Sequence, residues 1–261
     1  MVHSSWRSAL SELDAWLAVN PGTVLVAKKT RRVFRVSTPR GVVYVKVIRS
    51  LQEGGSLFKK ALAAVKWYCR SSRAVGVLNI SNAMLAQGIG CPEPVLAARR
   101  RNAAGWPEDI FISREVACPS VLSLVLQQPE GKRQEAILAS AGRGIARLHN
   151  HGFVHGDCIP GNLCQAPDGS LVFLDNDRTR ITPVFGAEGA RLNNLIQFLA
   201  RLPAIANRER LVATFLQAYA EANGEEAMFG TKQKDRLMRK LETRLALLAA
   251  KRARKVQART V

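Results

Sequence analysis

The chain has 261 residues, 47% of them hydrophobic, and a formal net charge of +19, a size that suits one or two domains with a real core. No apolar run approaches the roughly 18 residues of a membrane span, and the N-terminus lacks the basic-then-apolar order of a signal peptide. Five cysteines without a C-x-x-C pair argue for reduced thiols in the cytosol, against a disulfide frame or a zinc site.

In chain order, Trp6 to Val19 reads as a short amphipathic helix with Leu10, Leu13, Trp16 and Leu17 on one side, ended by Asn20-Pro21-Gly22. Three β-rich runs follow, at 23–26, 33–36 and 42–47, separated by Lys28-Lys29-Thr30-Arg31 and Pro39-Arg40-Gly41, which predicts a three-strand meander. Ser56 to Cys69 reads as a helix with Leu57, Leu62, Val65 and Tyr68 on its apolar side and Lys59, Lys60 and Lys66 as its cations. A stripe at this spacing more often faces a core than a membrane. Ala74 to Gln87 is a third helix, stopped by Gly88 and Pro92, and Ile110 to Val116 is a strand leading to a lobe boundary near Ala117. The expected division is therefore 1–116 and 117–261. Beyond it the chain is mostly helical, with helices at 132–150, 190–202, 208–223 and, long and basic, from about Thr231 to Val256; only the last ten or so residues suggest disorder.

The most informative stretch is His155-Gly156-Asp157-Cys158-Ile159-Pro160-Gly161-Asn162. Asp157 and Asn162 stand at the H-x-D-x-x-x-x-N spacing of a phosphotransfer loop. There the Asp must reach an acceptor hydroxyl, and the Asn ligates a Mg²⁺ held against nucleotide phosphates. Asp168-Gly169 predicts a two-residue hairpin turn that pairs Leu163-Cys164 with 171–174 and returns Asp175 to the side of Asn162, so that two metal ligands converge. His155 taken singly is more often a hydrogen-bonded core histidine than a chemical group. Asp177 either assists the metal or caps the following turn. In such an enzyme the meander would cover the nucleotide, and Lys46 sits where the phosphate-binding strand lysine belongs. The first turn is not glycine-rich. Lys28, Thr30 and Arg31 would hold phosphates with side chains, or the turn faces the acceptor.

Charge is unevenly distributed. Between Ala15 and Pro92 the only acid is Glu53, against thirteen Lys and Arg, and Met228 to Val261 carries a net +9. Such blocks ask for a polyanionic partner: a phosphorylated glycolipid, an anionic bilayer or nucleic acid. Nucleic acid is not expected, since aromatics are 6% and no aromatic-rich RNA-binding strand is present.

The order Tyr44-Val45-Lys46, Gly88-Ile89-x-x-Pro92, Phe111-Ile112-x-x-Glu115, Leu148-His149-x-x-Gly152-x-x-His155-Gly156-Asp157 and Leu174-Asp175-x-Asp177-Arg178 is similar to the lipopolysaccharide core kinase family, over nearly the whole chain. The resemblance implies an α+β, two-lobed protein-kinase-like fold, with a small antiparallel-sheet nucleotide-binding lobe and a mostly helical catalytic lobe. It implies ATP- and Mg²⁺-dependent transfer to a heptose or Kdo hydroxyl of a lipopolysaccharide core glycolipid, by a protein peripheral on the cytoplasmic face of the bacterial inner membrane. Asp157 would be catalytic, Asn162 and Asp175 metal ligands, Lys46 the phosphate clamp, and Glu115 part of the hinge near the adenine through its backbone. The loop motif is shared with aminoglycoside and choline kinases, which leaves a small-alcohol kinase as an alternative. One departure stands out: Val77 falls where the family commonly has the glutamate that pairs with the strand lysine. Glu53, Asn79 or Asn82 must then orient Lys46, or the chain is a membrane-associated pseudokinase scaffold.

Overall fold

The computed structural model describes residues 3–7, 10, 12–28, 30–49, 56–69, 71–101, 107–128, 131–183, 187–224 and 231–260; at 59, 60, 63, 64, 66, 68, 231–234, 252 and 254–260 it describes backbone alone. The fold is α+β, and the chain divides into two compact units, Met1–Ala117 and Cys118–Val261.

The first unit is built on a five-stranded antiparallel sheet of β1 (Thr23–Lys28), β2 (Arg31–Thr38), β3 (Gly41–Arg49), β4 (Pro94–Arg101) and β5 (Pro107–Arg114), in the order β1-β2-β3-β5-β4. Strand alternation sorts its faces. Val43, Val45 and Val47 go into a core with Trp6, Leu10, Ile110 and Ile112, against which Leu13, Trp16 and Leu17 pack. The expected N-terminal helix is shorter than its apolar pattern: a 3-10 turn at Ser4–Trp6, then α1 (Leu13–Val19). After α2 (Leu57–Tyr68), α3 (Arg73–Ala86) starts from a cap in which Ser72 Oγ accepts from Val75 N–H, and sets Ala74, Val77 and Leu78 on Ala97 and Phe111.

β4 was not expected, because its sequence ends in three arginines. The sheet register explains how such a strand is tolerated: Arg99 lies opposite Asp109 and Arg100 opposite Glu108. Both acids are buried. Asp109 accepts from Arg99 Nε at 2.8 Å and from the Arg73 amide at 2.7 Å, while Glu108 accepts from Arg100 Nε at 2.8 Å and Arg49 Nε at 3.3 Å. Removing one member of such a pair typically costs about 3–5 kcal/mol, because the other charge stays buried.

The second unit is mostly helical: α4 (Val121–Gln127), α5 (Lys132–Asn150), α6 (Glu188–Leu199), α7 (Arg208–Asn223) and α8 (Thr231–Thr260), with the short pairs β6 (Phe153–Val154) with β9 (Arg180–Ile181) and β7 (Leu163–Gln165) with β8 (Leu171–Phe173). α5 lies closely on α7 because position 142 is glycine, where a Cβ would overlap the Phe215 carbonyl. The β7–β8 connection is longer than the expected two-residue turn. It spans Ala166–Ser170, with Gly169 at φ 83° and Asp168 Oδ1 accepting from both the amide and the hydroxyl of Ser170. α8 contacts α6, burying Leu237 and Leu241 with Leu245 and Leu248 half-buried, and exposes Arg236, Arg239, Lys240, Arg244 and Lys251. Its backbone stays helical to Thr260, through residues whose sequence suggested disorder.

All five thiols are free: Cys91, Cys158 and Cys164 are buried, Cys118 is half-buried and Cys69 is exposed. Among the described residues no helix is long and apolar enough to cross a membrane.

Candidate active site

The site in the second unit grows from β6, whose pairing with β9 fixes where the chain enters the 155–162 loop. His155 is fully buried there. Its Nδ1 accepts from the Asp157 amide at 3.2 Å and its Nε2 lies 2.8 Å from the Leu174 carbonyl. An amide can only donate, so the ring proton sits on Nε2 and is given to Leu174. Burial lowers this histidine's pKa and favours the neutral ring that the geometry needs. His155 is thus a brace between the loop and the end of β8.

Asn162 makes the second tie. Its Nδ2 donates to the Asp157 carbonyl at 3.0 Å and to the Asp157 carboxylate at 3.2 Å, and its own carbonyl accepts from Leu174 N–H at 2.8 Å. Asp175 follows directly. Among the described residues it is the one non-glycine in the left-handed region, at φ 57° and ψ 55°, a conformation Asp tolerates better than most residues. Such backbone costs of order 1–3 kcal/mol and needs support. Here the support is the 3-10 turn Asn176–Arg178: buried Asn176 donates to the Phe173 carbonyl at 3.2 Å and accepts from Thr179 Oγ at 3.2 Å. Asp175 occupies the cap of this turn, and Asp177 lies exposed within it.

The loop is clamped from behind by α6. Asn194 Oδ1 accepts from the His155 amide at 2.9 Å and Nδ2 donates to the His155 carbonyl, while Gln197 Oε1 accepts from Cys158 N–H at 3.2 Å. Asn194 is in turn held by His149 Nε2 at 3.1 Å, whose Nδ1 lies 2.8 Å from the Tyr219 hydroxyl. Gly156 has no room for a side chain, since a Cβ would overlap Arg178. Beside the loop opens a cavity of about 230 Å³, with Arg178, Arg180, Asn193 and Gln197 in its wall.

With Nδ2 turned to Asp157, Asn162 keeps its side-chain oxygen Oδ1 for another partner. That oxygen and the Asp175 carboxylate are hard oxygen donors of the kind magnesium takes. Among the described residues no group of three or more His, Cys, Asp or Glu could hold a metal. Asn162 Oδ1 and the Asp175 carboxylate are, by chemistry, the donors that could serve an ion drawing its remaining ligands from phosphate and water.

The first unit carries the other expected residues. Lys46 lies half-buried on β3, opposite Val33 and Phe111, and so shares the sheet face on which Phe111 meets Val77. Position 77 does face the lysine's side of the sheet, and it is filled by a buried valine. Asn79 and Asn82 are exposed on α3, outside its buried residues. Glu53 lies outside the described residues. Lys28 and Arg31 pair at the end of β1 and β2, and the Thr30 carbonyl accepts from Arg49 N–H at 2.9 Å. Glu115 is committed by its side chain: Arg35 Nε and Nη2 donate to it at 2.7 and 3.1 Å, and Tyr44 at 3.1 Å. The Arg35 hydrogen bonds lower its carboxyl's pKa. Its amide donates to the Val42 carbonyl, which leaves the carbonyl as its backbone group for a ligand.

A sequence model described as the lipopolysaccharide kinase (Kdo/WaaP) family matches residues 16–219, which takes in the sheet, the 155–162 loop and α6. The chain belongs to this family. The family description is that of lipopolysaccharide kinases, which points to a phosphotransferase. Among solved structures it is similar to the bifunctional kinase-methyltransferase WbdD, with 20% identity over 81% of this chain and 47% of that one, at a TM-score of 0.43. A WbdD complex with a kinase inhibitor gives 19%, 82%, 49% and 0.42. The chain thus spans about half the length of these structures. No relative is found among curated proteins.

Sequence reading missed Asn194 and Gln197, which clamp the 155–162 loop from more than thirty residues away. Their one visible signal is two amides three residues apart within the apolar run of α6. The Asp109–Arg99 and Glu108–Arg100 pairs were signalled by acids and arginines in register across a hairpin, a pattern that needs β4 to be recognised first.

Proposed function

We propose that this chain is an ATP- and Mg²⁺-dependent kinase that phosphorylates a sugar hydroxyl, of heptose or Kdo, on a lipopolysaccharide core glycolipid. The observation that carries the reading is the Asn162 junction: one residue bonds the Asp157 carboxylate by its side chain and the residue before Asp175 by its backbone. A proton acceptor and two oxygen donors for a cation thereby share one framework. Asp157 would orient the acceptor hydroxyl and take its proton as the new O–P bond forms and the bond to the leaving ADP breaks. Asn162 and Asp175 would hold Mg²⁺, which when bound neutralises charge on the phosphates. Lys46, with Lys28, Thr30 and Arg31, would clamp those phosphates, making residues 1–116 the nucleotide-binding lobe, and the Glu115 carbonyl would face the adenine. Catalysis of this kind rests on positioning and charge.

The cations of α8 suit the phosphates of the glycolipid and the anionic inner leaflet, and the protein would work as a peripheral enzyme on the cytoplasmic face. One observation favours a second reading. Position 77, on the lysine's side of the sheet, holds a buried valine and no acid, as a pseudokinase scaffold could.

Incubation with ATP, Mg²⁺ and purified lipid A–core, with soluble amino alcohols in parallel, separates these. New phosphate located on a core sugar is the expected result. Phosphate on the amino alcohols alone would make the chain a small-alcohol kinase, and a chain that transfers none and binds no ATP is a scaffold.

A further inference from the structure

The apolar side of α2 faces outward. Leu57 is 79% exposed, Phe58 77%, Leu62 46% and Val65 58%, and Ala61 is exposed with them. At 100° per residue these five positions fill one continuous arc of about 140° on the helix. Among the described residues, the one that α2 buries lies on the far side. Trp67 is 9% exposed, with the Arg99 guanidinium 5.3 Å from its ring and Arg99 Nη1 donating to its carbonyl at 2.9 Å, and Arg99 is itself held by buried Asp109. Among the described residues Trp67 thus anchors the helix to β4, while Leu57, Phe58, Leu62 and Val65 are turned to solvent. In the helical sequence Lys59 and Lys66 border the arc on one side and Lys60 on the other. An apolar face edged by lysines is the pattern of a helix that lies in a membrane interface.

We propose that α2 is a membrane-docking helix that inserts Leu57, Phe58, Leu62 and Val65 into the headgroup and acyl boundary of an anionic bilayer. Charge selects this occupant. The segment from Ala15 to Pro92, which contains α2, has thirteen Lys and Arg against the single acid Glu53, so an anionic surface is attracted to the region that carries the apolar face. This attachment rests on the peripheral location proposed above and not on phosphotransfer, so vesicle binding and phosphate transfer can fail separately.

The test is co-sedimentation of the full chain with vesicles of phosphatidylcholine alone and of phosphatidylcholine mixed with phosphatidylglycerol, comparing wild type with Phe58→Ser/Leu62→Ser. Wild type should bind the anionic vesicles, keep part of that binding at high salt because apolar insertion is not screened, and bind neutral vesicles poorly. The double variant should lose about tenfold or more in affinity for anionic vesicles, with what remains abolished by salt. It should also melt at the wild-type temperature, since exposed residues contribute little to the core. Unchanged vesicle affinity would overturn the proposal. So would a clearly lowered melting temperature, which would mean the face is covered in the folded protein. A wild type that is dimeric in solution while the variant is monomeric would overturn it too, by assigning the face to a second copy.

Discussion

Asp157 and Asp175 occupy different positions in the local hydrogen-bond scheme, and their substitution should separate in kind. Asp157→Asn keeps the shape that Asn162 bonds while removing the proton acceptor. It should leave ATP-induced thermal stabilisation intact and slow transfer to the glycolipid by at least ~10²-fold, since general-base assistance is typically worth 10²–10⁴. Near-normal turnover would strip Asp157 of this role. Asp175→Ala acts on the cation instead. ATP should stabilise the wild type only when Mg²⁺ is added, and a thermal-shift titration of the variant should show that dependence gone. An undiminished shift would make the carboxylate structural. The alanine also gives up a residue suited to the left-handed backbone, so a modest drop in the melting temperature without nucleotide is expected in either case.

At the scale of elements, the network behind the loop has a pH signature. His149, on α5, is buried between Tyr219 and Asn194, and its pKa is pushed down to about 4, chiefly by burial. The unfolded chain, with histidine near 6.5, takes up that proton more readily than the folded one. Stability should therefore be full above about pH 6.5 and fall as the pH drops toward 4, with this residue contributing a slope of up to about 1.4 kcal/mol per pH unit. His155 is shifted in the same direction and adds to it. Urea midpoints measured across this range should show the fall, and His149→Gln should flatten it at the cost of some stability at neutral pH. An unaltered slope in the variant would place the acid sensitivity elsewhere. These elements also show what a sequence discloses. α5 and α7 were legible to the residue because each carries a sustained apolar period between polar ends. The 155–162 loop was legible because its signal is a local spacing. β4 was not, since Arg99-Arg100-Arg101 reads as surface until Glu108 and Asp109 are set opposite the first two. Nor was the outward turn of α2, whose apolar stripe has the same period whichever way it faces.

For the molecule as a whole, the two basic regions should be distinguishable by salt. α8 buries Leu237 and Leu241 and exposes Arg239, Lys240, Arg244 and Lys251, so its attraction to an anionic surface is chiefly coulombic and fades within a Debye length. Each such cation near a membrane is worth about 1 kcal/mol. Changing these four to Gln should raise the apparent KM for glycolipid at low salt, leave ATP affinity alone, and make little further difference at high salt. Equal KM values at low salt would reduce α8 to a solvated face. α2, by contrast, should contribute an attachment that survives salt.

The free thiols add a consequence of their own. Burial raises the pKa of Cys91 to about 11 and of Cys164 to about 12 and pushes up that of Cys158, all of which disfavour the reactive thiolate. Cys118 is half-buried and raised as well. Cys69 stands apart, exposed just after the last turn of α2, with its amide bonded to the Val65 carbonyl. An alkylating dye should therefore find one dominant target, placed by nature at the edge of the helix proposed to enter the bilayer. The unmodified protein carries its own built-in reporter, and the speed at which Cys69 is alkylated gives a direct reading of whether that edge is wet or shielded by lipid.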